Sequence, residues 1–260
     1  MKDSENSKVN EQSKNIVSPI TDRIIPPQTS AEEARKAGHF VYDKPTIENS
    51  IMLFIDHQIG LMAGVRDFES LSVYKSNVIG LAKVAKAAKI PVLLSSSNAQ
   101  WQNGDTLPEL KEIFADEPIY RRTGIINCYE DPSFRNALET LVKQTGRRHI
   151  IISAVTIGTC CAFPTLSMLQ DGYKVYPVID ACGAWSRYET DAAVLRMANA
   201  GAEPVTVFPL ACELQADWKN PTANDMFTPF IENLPEYSFV IQLFNSAANG
   251  TGVKDPFKEK

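Results

Sequence analysis

The segment His149-Ile-Ile-Ile-Ser-Ala-Val-Thr-Ile-Gly-Thr-Cys-Cys-Ala-Phe-Pro164 decides how this chain folds. It opens on a continuous apolar run, as in a strand buried on both faces, and β-structure is expected over Ile150 to Val155. It then leads into a helical segment that ends near Asp171-Gly172. A thiol at such a strand-to-helix turn lies among free backbone N–H groups and at the positive end of the helix dipole, which favours thiolate over thiol. Cys160 is therefore the candidate nucleophile; the alternative for this residue alone is a small buried hydrophobe.

The same strand-then-helix rhythm extends in both directions. Upstream, Ile51 to Ile55 is a short apolar strand ending at Asp56, and Asn77 to Lys89 carries Val78, Leu81, Val84, Ala85 and Ala88 at helical spacing. Pro91 to Ser95 reads as a second strand, and Phe134 to Thr145 as a helix stopped by Gly146. Downstream come a strand over Lys174 to Ile179, a helix over Glu189 to Ala200 with Gly201 just past it, and a strand over Pro204 to Phe208. Apolar strands separated by helices imply βαβ units. The expected fold is α/β, with three αβα layers around a mainly parallel sheet of about six strands. Residues 47 to 260 read as one domain. Residues 1 to 46 read as an extension, partly disordered, with a short helix over Ala31 to Gly38 and a role as an inter-subunit arm; the alternative is a variable tail without function.

Composition narrows the function. At 260 residues, 44% hydrophobic and 22% charged, the chain can bury a sizeable core. A net charge of -5 argues against nucleic acid or an anionic membrane as partner. No signal-like segment and no stretch of about 18 apolar residues occurs, so a cytoplasmic protein with no membrane partner is expected. Five cysteines, an odd number without metal-type spacing, suit a reducing compartment. The histidines are His39, His57 and His149, so no metal is expected, and without a Gly-rich phosphate loop no cofactor is expected either.

In open parallel sheets, ligands bind beyond the carboxyl ends of the strands, where Asp56 and Cys160 both fall. A partly desolvated carboxylate there can take a thiol proton; the other reading of Asp56 is a turn cap. Glu117-Pro-Ile-Tyr-Arg-Arg-Thr-Gly124 adds two arginines, Arg121 and Arg122, either of which could support negative charge at the site or serve as a surface arginine. His57 reads as a pocket residue or a structural strand-end histidine, and Trp101 as a pocket wall or a contact aromatic.

An Asp, then a cation, then a Cys in a Gly/Thr-rich turn resembles the isochorismatase-like cysteine hydrolase superfamily, in its YcaC-like branch. The resemblance rests on Asp56-His57-Gln58 with Gly60-Leu61, Leu107-Pro-Glu-Leu110, Arg122 with Gly124 and Asn127, and Cys160 with Ala162-Phe-Pro164. Asp180-Ala-Cys-Gly183, Ala211-Cys-Glu-Leu214 and Asp217-Trp218 also fit, so it covers residues 47 to 240. It implies a Rossmann-related fold, Asp56 as general base, Arg122 at the basic position and Cys160 as nucleophile. It further implies a turn over Thr156, Ile157 and Thr159 that forms the oxyanion hole, with a non-proline cis peptide at Thr156-Ile157. Gly158 and Cys161 depart from the usual pattern of that turn. His57, Gln58, Asn98, Trp101 and Cys161 complete the expected substrate pocket. The implied activity is hydrolysis of a small amide or related C–N substrate through a thioester at Cys160, in a homo-oligomer of tetramer size or larger. Two rivals are a thiol-responsive redox protein, suggested by the adjacent cysteines, and a catalytically weak oligomeric scaffold.

Overall fold

The computed structural model describes residues 42–248 together with Glu33, Lys36 and Ala37. The expected helix over Ala31 to Gly38, and the arm of which it is part, lie largely outside the described residues. From Pro45 onward the chain forms one compact unit, to which everything below refers.

Five strands make the sheet: β1 (Ser50–Ile55), β2 (Val92–Ser97), β3 (Ile119–Arg122), β4 (His149–Ala154) and β5 (Lys174–Pro177). All pair in parallel, in the order β3-β2-β1-β4-β5. The chain builds outward from β1 on one side through β2 and β3, then returns to the other side for β4 and β5. The strand order thus reverses between β1 and β4, whose carboxyl ends are in register at Ile55 and Ala154.

The helices are α1 (Ile59–Ala63), α2 (Leu71–Ala87), α3 (Pro108–Ile113), α4 (Pro132–Thr145), α5 (Ala162–Gln170), α6 (Arg187–Asn199), α7 (Val207–Gln215), α8 (Ala223–Asn233) and α9 (Pro235–Ala248). Alternate side chains of β1 feed two separate cores. Met52 and Phe54 pack with Val78 and Leu81 of α2 and with Leu210 and Phe230 from α7 and α8. Ile51, Leu53 and Ile55 pack with Phe134 and Leu138 of α4, Met168 of α5 and Met197 of α6. Complete burial of all six β1 residues explains why the strand reads as an unbroken apolar run.

The sheet has five strands rather than about six, and Pro204 to Phe208, expected as a strand, is not one of them. Only Val205 pairs, in a single parallel bridge to Val178, and α7 begins at Val207. The reason is a distant cap: Asp180 Oδ1 accepts the Val207 N–H at 2.9 Å and starts the helix. Conversely β3 is a strand that the sequence reading did not include, and Arg122 is its last residue. The helix expected over Asn77 to Lys89 begins earlier, at Leu71, where Ser70 accepts the Val73 N–H as N-cap.

Candidate active site

Asp56 follows β1 directly and adopts φ 56°, a left-handed conformation that aspartate tolerates better than most residues. Its side chain is completely buried. Oδ2 accepts from Arg122 Nη2 at 2.7 Å. Oδ1 completes no hydrogen bond of normal geometry, although the Ser97 backbone and the Cys160 thiol lie near enough to draw the carboxyl pKa down. Burial outweighs both these contacts and the Arg122 charge, so the Asp56 pKa is raised above the ordinary carboxylate value.

Arg122 is equally buried and spends its guanidinium within the protein. Besides Asp56 it donates to Ser95 Oγ at 2.5 Å, to the Ile125 carbonyl at 2.9 Å and to the Ile126 carbonyl at 3.3 Å. It is not among the residues lining the cavity described below. Arg121, by contrast, is exposed and faces Asp105 at the surface.

The polypeptide leaves β4 through a cis peptide at Val155-Thr156 and enters a π-type turn, Ile157–Cys161, continuous with α5. The cis bond is one residue earlier than the resemblance implies. Thr156 is already the N-cap of the helical turn, and the Ile157 N–H donates to the Gly183 carbonyl at 2.8 Å, so the Thr156-Ile157 peptide belongs to the helix start. Within the turn, Gly158 N–H donates to Glu189 Oε1 at 3.2 Å and Cys161 N–H to the Thr156 carbonyl at 3.2 Å, while Thr159 N–H makes a longer bond of 3.3 Å to that carbonyl. Among the described residues, Cys160 N–H has no partner outside its own turn.

The Cys160 thiol is 9% exposed, and its pKa is pushed up rather than down. Burial is the main cause and the Asp56 charge the next; Thr159 and Arg122 pull the other way without prevailing. The thiolate expected from the helix dipole is thus overridden by burial and by the Asp56 carboxyl that the thiol faces.

Asp56 and Cys160 share one cavity of about 320 Å³, completed by Leu61, Ser97, Asn103, Val155, Thr156, Thr159, Trp185 and Glu189. Several expected pocket residues lie elsewhere. His57 points into the core between Tyr74 Oη (3.1 Å) and Ser153 Oγ (2.7 Å). Ser153 donates its own proton to the Ala181 carbonyl, so Nε2 of His57 carries the ring proton and Nδ1 accepts from Tyr74. Burial lowers the His57 pKa from 6.5 to about 3, keeping the ring neutral. Gln58 is a buried cross-tie: its amide NH₂ donates to the Ser97 and Gly104 carbonyls, and its oxygen accepts the Ser97 N–H. Asn98 does not line the cavity; its N–H donates to the Arg122 carbonyl. Trp101 is 69% exposed, held in a turn by its N–H to Asn98. Cys161 is fully buried against Cys182 (3.8 Å between sulfurs) and Met197 and does not line the cavity, and Ile157 is fully buried.

Sequence reasoning missed Ser97 and Asn103, left Trp185 open between a pocket wall and a contact aromatic, and missed Glu189. The last two follow β5, far from Cys160 along the chain. Ser186-x-x-Glu189 carries the signature of a capping box, and Ser186 Oγ does accept the Glu189 N–H. The glutamate carboxylate, however, accepts from Gly158 N–H and from Trp185 N–H (3.1 Å). Among the described residues no group of His, Cys, Asp and Glu is arranged to hold a metal ion.

Residues 50–207 match the isochorismatase domain. The chain belongs to the isochorismatase family. Within the family it falls on the YcaC branch: it is 38% identical to the probable hydrolase YcaC of Escherichia coli over 189 residues, 73% of this chain and 88% of that protein. A crystal structure of E. coli YcaC, an octameric hydrolase of unknown specificity, superposes with a TM-score of 0.75 at 36% identity, covering 80% of this chain and 99% of the other. YcaC from Pseudomonas aeruginosa, with hexane-2,5-diol and covalent acrylamide, superposes with a TM-score of 0.74 at 39% identity, covering 79% and 99%. Among the described residues of this family member, no helix is long and apolar enough to cross a membrane.

Proposed function

We propose that this member of the isochorismatase family is a cysteine hydrolase that cleaves a small amide or related C–N bond through a thioester at Cys160. The observation that carries the reading is the pairing of Asp56 and Cys160 in one small cavity, with Oδ2 of the carboxylate locked by Arg122 and Oδ1 left without a full hydrogen bond. Asp56 takes the thiol proton as sulfur attacks the carbonyl carbon. Cys160 N–H donates to the developing oxyanion. As the C–N bond breaks, Asp56 returns the proton to the departing amine. Water then attacks the thioester, giving a proton to Asp56, and the acid leaves as the thiol is restored. A raised carboxyl pKa suits this double duty, because the same group must accept and return a proton near neutral pH. Arg122 acts through Asp56, holding it in place and balancing its charge.

The covalent acrylamide carried by the Pseudomonas relative supports an accessible nucleophile in this branch. The octameric E. coli relative supports assembly here too. So does the apolar face of α9, where Phe239, Val240, Leu243 and Phe244 are each more than half exposed. We read the chain as a homo-oligomer of tetramer size or larger; light scattering that gives a monomer mass contradicts this.

The test of the chemistry is amine release from a panel of small amides by the wild type and Cys160→Ala, with acid quench and peptide mass spectrometry. Turnover lost by a factor of about 10³ or more in the variant, with an acyl mass on Cys160 in the wild type, is the expected result. Turnover retained in Cys160→Ala contradicts it.

A further inference from the structure

The catalytic cavity contains a charged group that the chemistry above does not use. Glu189 lines it, half-buried, and no cation pairs with Glu189 among the described residues. The residues that line the cavity include no lysine or arginine, and the Asp56 charge is already met by Arg122 beneath it. Each Glu189 oxygen accepts one backbone N–H, which fixes the carboxylate and leaves each oxygen with further accepting capacity. Two glycines make room for this arrangement. A methyl group at Gly158 would sit 2.8 Å from Glu189 Oε1 and 2.9 Å from its Cγ. A methyl group at Gly64 would sit 2.8 Å from Nε1 of Trp185, the aromatic residue beside Glu189 in the cavity wall.

We propose that Glu189, with Trp185, selects substrates whose acyl or amine portion carries an ammonium or other cationic group, and rejects anionic ones. A fixed carboxylate and an aromatic side chain lining one cavity are the pair that recognises ammonium ions, by Coulomb attraction and by the ring quadrupole. The absence of a counter-cation in the wall leaves the ligand to supply it. An anionic substrate would meet Glu189 with nothing to offset it. The bare Gly158, two residues before the nucleophile, lets the carboxylate reach this position. The proposal rests on Cys160 being the nucleophile of this cavity.

The test uses three methanethiosulfonate reagents of similar size on the full-length protein: methyl (neutral), 2-aminoethyl (cationic) and 2-sulfonatoethyl (anionic). In each, the Cys160 sulfur forms a disulfide, methanesulfinate leaves with the electron pair, and the thiol proton passes to Asp56 and then to solvent. Rates at Cys160, read by peptide mass spectrometry, are divided by those of a small free thiol. The cationic reagent should exceed the anionic one by about tenfold or more at low salt, and the ratio should fall as salt is added. Glu189→Gln should reduce the ratio at least several-fold, and Glu189→Asp should retain most of it. A ratio near one in the wild type, or one that salt does not change, overturns the proposal without reference to any variant. A Glu189→Gln protein in which all three rates fall together at constant ratio overturns it as well, because it makes the glutamate a mere brace for the turn. Neutral labelling without charge preference leaves the nucleophile intact; failure of the neutral reagent at Cys160 overturns both readings.

Discussion

Asp56 and His57 are neighbours at the end of the same strand, and both are buried polar groups, yet they belong to different worlds. His57 turns into the core and finds a complete set of partners, running from Tyr74 through the ring to Ser153 and the Ala181 carbonyl. Asp56 turns toward the switch point in strand order, where Arg122 satisfies Oδ2 while Oδ1 is left beside a thiol in a cavity. Both have shifted pKa values, and burial is the main cause in each. Burial and a perturbed pKa therefore do not distinguish the two residues. Unused bonding capacity beside a cavity does, and only Asp56 of the two has it.

The largest effect that would break this contrast is expected at Arg122. Arg122→Gln leaves a fully buried carboxylate without its counter-ion, and a loss of about 3–5 kcal/mol in unfolding free energy is expected from urea titration. A loss below about 1 kcal/mol, the range of an exposed pair, would show that Asp56 draws its support from elsewhere.

The two neighbours also couple to pH with opposite signs. The His57 pKa is lower in the folded protein than in the unfolded chain, so the stability from its neutral ring is present above pH 6.5 and is lost as pH falls from there toward about 3. The Asp56 pKa is raised, so its contribution is fully present below the unfolded carboxylate value and is lost as pH rises through the folded one. Replacing His57 by Gln should therefore lower stability at neutral pH but flatten the loss on acidification, removing a slope of up to about 1.4 kcal/mol per pH unit. Parallel stability-against-pH curves for wild type and variant would contradict the neutral buried ring. The smallest effect is expected from Tyr74→Phe, which strips the proton donor from His57 Nδ1 and should cost about 1–3 kcal/mol. The rate of Cys160 labelling by a neutral reagent should stay within about threefold of wild type, a change of well under 1 kcal/mol.

The same contrast explains what could be read from the amino-acid sequence. The α/β architecture was legible because β1 and β4 are mainly apolar, β2 and β5 contain shorter apolar stretches, and the helices between them carry regular spacing and caps such as Ser70 and Gly146. The edge strand β3 was not, because Ile-Tyr-Arg-Arg carries no apolar run and is only partly covered. Pro204 to Phe208 was misread because its fate depends on Asp180, a cap supplied from the loop after β5. Within the candidate site, Asp56 was singled out as the residue directly after a buried strand, and Cys160 as a thiol in the strand-to-helix turn after β4; both line the same cavity. His57 and Gln58 share that sequence position but not its orientation, since the left-handed turn at Asp56 sends them elsewhere. Glu189 was illegible because its capping-box spacing has a local explanation that does not involve Gly158.

The most direct test of the account is the rate of Cys160 modification by iodoacetamide against pH, in wild type and Asp56→Asn, with fragmentation that separates Cys160 from Cys161. If Asp56 removes the thiol proton, the wild-type rate rises with ionisation of a carboxyl and levels off well below the free-thiol pKa of about 8.5. The Asp56→Asn rate near neutral pH then drops by about 10²-fold or more and rises only with the thiol itself. A wild-type rate that climbs only through the thiol range, unchanged by Asp56→Asn, would contradict the claim that these two residues act as a pair.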